Sequence, residues 1–167
     1  MGLMQNGNLE GLDMLECYLS NCDPAESIQF CSRFDSSVLT KFASVVPHKV
    51  IAVIALILRI NPLSSLQFKS MEWWTFFVNC LKDSKLSVID NSLCVISIVC
   101  DVYPPATQTF AKMGALRSFQ LLPNSANFCH FASIFIREIN DPFLSTKILE
   151  MCSCCRDSRG LKHFLEA

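Results

Sequence analysis

The chain has 167 residues, of which 51% are hydrophobic and 17% are charged, and 14 Lys and Arg against 15 Asp and Glu give a formal net charge of -1. This length suits one domain with a packed core. Because apolar residues are abundant and charges are few, the composition excludes intrinsic disorder. Neither sign of charge forms a block of five or six residues, so no nucleic-acid-binding face is predicted.

The sequence also bears on the cellular compartment. Its longest apolar run, Val50 to Leu58, has nine residues and is too short to cross a bilayer. Residues 1–9 lack the basic start and apolar stretch of a secretory signal, and none of the nine Asn residues begins a glycosylation sequon. The ten cysteines are therefore interpreted as reduced thiols, which predicts a cytoplasmic or nuclear protein without a membrane anchor.

An internal repeat of about forty residues is marked by prolines at spacings of 38, 42 and 38 residues. They are Pro24, Pro62, Pro104 and Pro142. Three of them are followed six residues later by phenylalanine: Phe30, Phe68 and Phe110. A sheet would need turn glycines, and only five glycines are present. The period is typical of an all-α helical solenoid, in which stacked units share one core.

Within each unit the pattern predicts three helices. Residues 1–8 are predicted to be a flexible tail and residues 9–167 one repeat domain, whose first long helix carries Leu12 and Leu15. The next helices are expected at 24–34, 37–45 and 48–60, then at 62–71, 72–82 and 86–102. Those after them are expected at 104–113, 115–122, 126–140 and 142–152. The third helix of each unit is apolar on nearly every face, which indicates burial between neighbours.

The residues around each proline predict where the first helices begin. Proline is tolerated at the first helical position, and Asp23, Asn61 and Asp141 precede three of the prolines as candidate N-caps. Tyr103, which precedes Pro104, is a poor cap. The start of the third of these helices is therefore the least defined.

The stretch Asn91 to Leu122 resembles the armadillo repeat. Gly114 stands at the family's sharp corner between first and second helices, and the core places of the family are taken by Phe110, Leu116 and Phe119. The resemblance extends in weaker form over residues 9–165. It implies a right-handed α-solenoid of about four three-helix repeats with a concave ridge made by the third helices.

This chain also departs from the armadillo pattern. Glu72 and Cys152 take the corner place that Gly114 holds in its own unit. Armadillo proteins that clamp extended basic peptides carry Trp and Asn on the concave face, whereas these places here fall near apolar residues: Ala52, Leu56, Cys94, Ile98, Ala132 and Ile136. The resemblance therefore argues against an importin-like clamp. Two interpretations stay open, a complete array or a fragment of a longer one whose uncapped ends self-associate.

Catalytic motifs are absent from the sequence, and the three histidines fall in different units, so no enzyme and no cofactor are predicted. Cys152, Cys154 and Cys155, with His163, offer half of a zinc site. Arg156 and its basic neighbours would favour thiolates there. A zinc- or redox-responsive regulator is therefore one alternative, and packed, unreactive cysteines are the other.

The aromatic segment Trp73 to Phe77 supplies the candidate binding residues. The armadillo alignment turns Trp74 and Phe77 inward and leaves Trp73 and Phe76 on another face, where exposed rings would form a protein-binding patch. The alternative is that these rings pack between units. The predicted function is a non-catalytic scaffold or adaptor that binds a partner peptide or helix. A narrower alternative, by fold analogy, is an armadillo-type Hsp70 co-chaperone that promotes nucleotide exchange.

Overall fold

The computed structural model describes residues 9–116 and 125–139, together with Pro142 and Thr146. These residues are helical without a strand, so the all-α prediction is confirmed for them. The short elements are α2 (Pro24–Arg33), α3 (Ser37–Ala43), a 3-10 helix (Pro62–Phe68), α5 (Met71–Cys80) and α7 (Ala106–Lys112). The long helices are α1 (Glu10–Asn21), α4 (Pro47–Ile60), α6 (Leu86–Val102) and α8 (Ala126–Ile139). The predicted tail at residues 1–8 and the predicted helix at 142–152 lie outside the described residues, apart from the two single positions.

Two predicted helices differ from the observed ones. The segment after Pro62 is a 3-10 helix that ends at Phe68, because Ser70 caps a new helix: its hydroxyl accepts from the Trp73 N–H at 3.4 Å. After Tyr103 the chain makes a turn through Pro104, and α7 begins only at Ala106, whose N–H donates to the Tyr103 carbonyl at 2.9 Å. The helix thus begins two residues later than predicted, after the poor capping residue noted in the sequence.

The three residues predicted as N-caps do not all cap a helix. Asp23 caps α2, because its Oδ1 accepts from the Ala25 N–H at 2.8 Å. Asn61 is not a cap, and its Nδ2 instead donates to the Ser32 hydroxyl at 3.0 Å, which joins the 3-10 helix to α2 of the preceding unit. Asp141 lies outside the described residues.

The long helices pack against one another in chain order: α1 contacts α4, α4 contacts α6, and α6 contacts α8. The short helices contact the long helix that follows them, and the 3-10 helix and α5 also contact α4. In α4, seven apolar residues between Val50 and Leu58 are fully buried. Burial of each large aliphatic side chain contributes about 1.5–3 kcal/mol, so this packing is the main source of stability.

A buried hydroxyl recurs three residues after each of three repeat prolines. Ser27, Ser65 and Thr107 are 4%, 2% and 0% exposed. The Ser27 hydroxyl donates to the Asp23 carbonyl at 2.8 Å, so it returns one hydrogen bond to the start of its own helix. The spacing Pro-x-x-Ser/Thr is visible in the sequence and is a further sign of the repeat.

Gly114 has a positive φ of 85°, the conformation in which a side chain is penalised. Its N–H donates to the Ala111 carbonyl at 3.0 Å and ends the α7 segment. Gly114 therefore has the conformation that the predicted corner needs, whereas residues 117–122 of the predicted second helix lie outside the described residues. Phe110, which precedes it, is fully buried, and Leu116 is half-buried, whereas Phe119 lies outside the described residues.

Replacing Gly114 tests this corner. Gly114→Ala is expected to lower the free energy of unfolding by about 1–2 kcal/mol, because Cβ clashes in the left-handed region. Gly114→Asn should lower it by less, since Asn tolerates this conformation better than other non-glycine residues. Urea unfolding followed by circular dichroism measures both variants. Equal losses for Ala and Asn would contradict the conformational explanation.

Candidate protein-interaction face

Trp73 and Phe76, the candidate binding residues, do not form an exposed patch. Trp73 is only 6% exposed and Phe76 is half-buried. The Trp73 ring centroid lies 5.2 Å from that of Phe68, 5.7 Å from that of Phe76 and 6.0 Å from that of Phe77. Trp73 therefore lacks the exposure on which the patch depended, and its ring contacts lie within its own unit instead of between units. A binding role for Trp73 and Phe76 stays a prediction.

The long helices present a different surface, called here the long-helix face. Along α4, the helical spacing places Lys49, Ala52, Leu56 and Arg59 on one side. Along α6 it does the same for a second set of four residues: Asp90, Cys94, Ile98 and Asp101. The two middle positions of each set are the ones that the armadillo resemblance assigned to the concave ridge: Ala52, Leu56, Cys94 and Ile98.

Polar contacts join the first three long helices on this side. Lys49 of α4 donates from Nζ to both carboxylate oxygens of Asp13 of α1, at 2.6 and 2.7 Å. Arg59 at the end of α4 donates from Nε to the Cys94 sulfur of α6 at 3.3 Å. Each contact therefore connects one long helix to the next in the chain.

The same pattern continues from α6 to α8. Asn127 donates from Nδ2 to Oδ2 of Asp90 at 2.7 Å. At the other end of α6, Asp101 Oδ2 lies 2.8 Å from His130 Nε2, and its Oδ1 lies 3.4 Å from the Arg137 guanidinium. His130 and Arg137 both belong to α8, so Asp101 contacts that neighbouring helix at two positions, about two turns apart.

These contacts are partly exposed and contribute little to stability. The side chains of Asp101, His130 and Arg137 are 37%, 52% and 56% exposed, and exposed ion pairs are worth about 0–1 kcal/mol. Their larger effect is on the surface itself, where half-buried Leu56 and Ile98 lie among paired charges of both signs. A surface with apolar residues inside a polar rim has the composition of protein interfaces.

A signal for these contacts exists in the sequence and was missed. The paired residues lie about one repeat apart: 36 residues for Asp13 and Lys49, 37 for Asp90 and Asn127, and 36 for Asp101 and Arg137. Polar residues that recur at the repeat period on an otherwise apolar helix indicate contacts between neighbouring units. Only the Asp101–His130 pair, 29 residues apart, departs from this spacing.

The seven cysteines of the described residues are free thiols. No group of three or more His, Cys, Asp and Glu side chains in this part of the chain could hold a metal ion. Cys17 is exposed, whereas four cysteines are buried: Cys31, Cys80, Cys94 and Cys100. The candidate zinc or redox residues, Cys152, Cys154, Cys155 and His163, lie outside the described residues. Their role therefore stays a prediction.

Burial sets the chemistry of the inner thiols. Desolvation raises the pKa of Cys31 to about 11, and it raises the pKa values of Cys80 and Cys100 to about 12. A thiol must lose its proton to act as a nucleophile, so these three groups are unreactive near neutral pH. They serve as small apolar side chains.

None of the described helices is long and apolar enough to span a membrane. Comparison of the chain with known protein families, with curated proteins and with solved structures finds no match. What the chain does must therefore be inferred from its own residues.

The buried position of Trp73 is testable. Trp73→Ala is expected to lower the free energy of unfolding by about 3–5 kcal/mol, because it removes a packed ring and leaves a cavity. Met71→Ala, at a 56% exposed position on the same helix, should change it by less than about 0.5 kcal/mol. Urea unfolding of both variants measures the difference. A loss below about 1 kcal/mol for Trp73→Ala would contradict the packed position.

The raised thiol pKa values predict a loss of stability at alkaline pH. An unfolded cysteine loses its proton near pH 8.5, whereas folded Cys100 keeps it until about pH 12. The contribution of the Cys100 thiol to the free energy of unfolding is thus complete below about pH 8.5, and it decreases as the pH rises toward 12. Cys100→Ala should make the free energy of unfolding less dependent on pH between about 8.5 and 10.5. Exposed Cys17→Ala should leave that dependence unchanged, and an identical effect of both variants would contradict the cause.

Proposed function

We propose that this protein is a non-catalytic interaction module of armadillo-like three-helix units, and that a partner peptide or helix docks on the long-helix face. The observation that carries the proposal is the order of α1, α4, α6 and α8, which contact one another in sequence and are joined by polar pairs one repeat apart. Helical repeats arranged in this way form extended binding surfaces.

Three features support an armadillo-like unit. Prolines recur at 38 to 42 residues, a buried hydroxyl follows three of them at the same distance, and Gly114 makes the corner with its positive φ. The 3-10 helix after Pro62 replaces a regular first helix in one unit, so the units differ in detail. A right-handed solenoid of about four repeats is the architecture we propose from these features.

The long-helix face is the surface we assign to the partner because it combines two kinds of contact. Half-buried Leu56 and Ile98 supply apolar area, and Arg59 and Asp101 supply charges of opposite sign at the helix ends. The long helices also give this surface a rigid support, since their other sides are buried. The face lacks the Trp and Asn places of a basic-peptide clamp, so we propose a partner with a mixed charge pattern.

No described residue favours the other two functions. The co-chaperone alternative rests on fold analogy, and the zinc or redox alternative rests on Cys152 and its neighbours, outside the described part of the chain. A cytoplasmic or nuclear location, self-association through repeat ends and the absence of nucleic acid among the partners stay predictions.

Charge reversal on the face tests the proposal. Arg59 and Arg137 are exposed residues in the last turns of α4 and α8, and Arg59→Glu with Arg137→Glu would place carboxylates beside Cys94 and Asp101. We expect the double variant to recover its partners from native cell extract about tenfold less efficiently than the unmodified chain, because rim charges of the wrong sign repel. Quantitative mass spectrometry measures the recovery.

A matched control exists on the short helices. Arg33 and Lys112 are also exposed basic residues in last turns, those of α2 and α7, and Arg33→Glu with Lys112→Glu makes the same change of charge. This control should recover the partners as the unmodified chain does. Circular dichroism verifies that both variants fold. If partner recovery falls equally in both, or in neither, the long-helix face is not the docking surface.

A further inference from the structure

The outer side of α1 exposes large apolar side chains. The helix buries Leu12, Leu15 and Leu19, and it contacts α4. On the opposite side Met14 is 57% exposed and Tyr18 is 43% exposed, one turn apart. Exposed methionine and tyrosine are common in protein interfaces, because thioethers adapt to many shapes and a phenol combines apolar area with a hydrogen-bonding group.

The charges around these two residues have one sign. Residues 9–32 contain five acidic residues and no Lys, Arg or His: Glu10, Asp13, Glu16, Asp23 and Glu26. Helical spacing places Glu10 in line with Met14 and Tyr18. Arg33, the next cation along the chain, lies in the last turn of α2, and Lys49 of the contacting helix α4 is bound to Asp13.

Glu26 belongs to the same surface although it lies on α2. Tyr18 contacts Phe30 of α2, with ring centroids 5.4 Å apart, so the outer side of α1 is joined to α2. Glu26 lies one turn before Phe30 on α2, so helical spacing places it on the side of α2 that meets Tyr18. Desolvation raises the pKa of the Tyr18 phenol, and the negative charge of Glu26 contributes in the same direction. The surface therefore comprises Glu10, Met14, Tyr18 and Glu26, and it is called here the α1 face.

We propose that the α1 face is a docking surface for a basic amphipathic helix of another protein. Met14 and Tyr18 form an apolar ridge with helical spacing, against which the apolar side of a helix packs. The carboxylates of Glu10 and Glu26 select Lys and Arg at the edges of that helix by charge complementarity. The same carboxylates repel nucleic acid and anionic lipid. This surface does not rest on the long-helix face, and the two proposals can fail separately.

A designed peptide serves as the probe. A fluorescein-labelled helical peptide with Leu on one side and Lys elsewhere is titrated with the full chain, and fluorescence anisotropy measures its binding. A second peptide has Glu in place of every Lys. We expect the Lys peptide to bind more tightly than the Glu peptide by about tenfold or more, and we expect salt to weaken its binding.

The chain offers a close control for both kinds of contact. Met14→Ser with Glu26→Lys removes an apolar side chain and reverses a first-turn charge on the α1 face. Met71→Ser with Glu72→Lys does the same on α5, where Met71 is 56% exposed and Glu72 also lies in the first turn. We expect the first pair to weaken binding of the Lys peptide about tenfold and the second pair to leave it unchanged, with both variants folded by circular dichroism.

Four results would overturn the proposal. They are no binding of the Lys peptide, equal binding of both peptides, equal weakening by the two variant pairs, and a chain that sediments as a dimer and becomes monomeric with Met14→Ser. The last result would assign the face to a second copy of the chain. The Arg59→Glu, Arg137→Glu variant should still bind the Lys peptide, and this separates the α1 face from the long-helix face.

Discussion

The packing of apolar long helices against their neighbours in the chain is the constraint on which the rest of the structure depends. α4 and α6 are buried on several sides, so each must be surrounded by a long helix before it, a long helix after it and the short helices of its unit. α6 also buries the polar residues Ser92 and Ser97, and both hydroxyls form hydrogen bonds within the protein. Ser92 donates to the Phe77 carbonyl at 2.6 Å, and Ser97 donates to the Leu93 carbonyl at 2.7 Å. This arrangement explains both the high apolar content and the burial of the cysteines.

Burial on most sides leaves a narrow strip of each long helix for other contacts. That strip carries half-buried Leu56 and Ile98 together with polar side chains that reach the neighbouring helix. Lys49 and Asp101 are examples, because each pairs with a residue of an adjacent long helix. Exposed pairs of this kind align neighbouring helices more than they stabilise them. The same strip is the surface that we assign to a partner, so binding and alignment depend on the same residues.

Much of the helical pattern could be predicted from the sequence, because it depends on the period of apolar residues and on a few special residues. The bounds of α6 agree with the prediction at both ends, and Asp23 and Gly114 have the roles that their chemistry indicates. The exposure of single rings could not be predicted. The sequence is the same whether Trp73 faces solvent or packs against Phe68, and the position of the 3-10 helix that carries Phe68 decides between the two. Helical spacing also could not show that Asn61 bonds Ser32 instead of capping a helix, since that contact depends on the neighbouring unit.

The buried hydroxyls near the repeat prolines, Ser64 among them, have a consequence for how two units are joined. A hydroxyl is smaller than the apolar side chains around it, and at the third residue after proline it lies at the start of a short element. Ser64, beside Ser65, donates to the Cys31 carbonyl of the preceding unit at 2.9 Å. This junction therefore includes a directional bond, which apolar packing alone does not supply. A sliding motion of one unit along the other would have to break the Ser64–Cys31 hydrogen bond, so this bond fixes the register in which the two units meet.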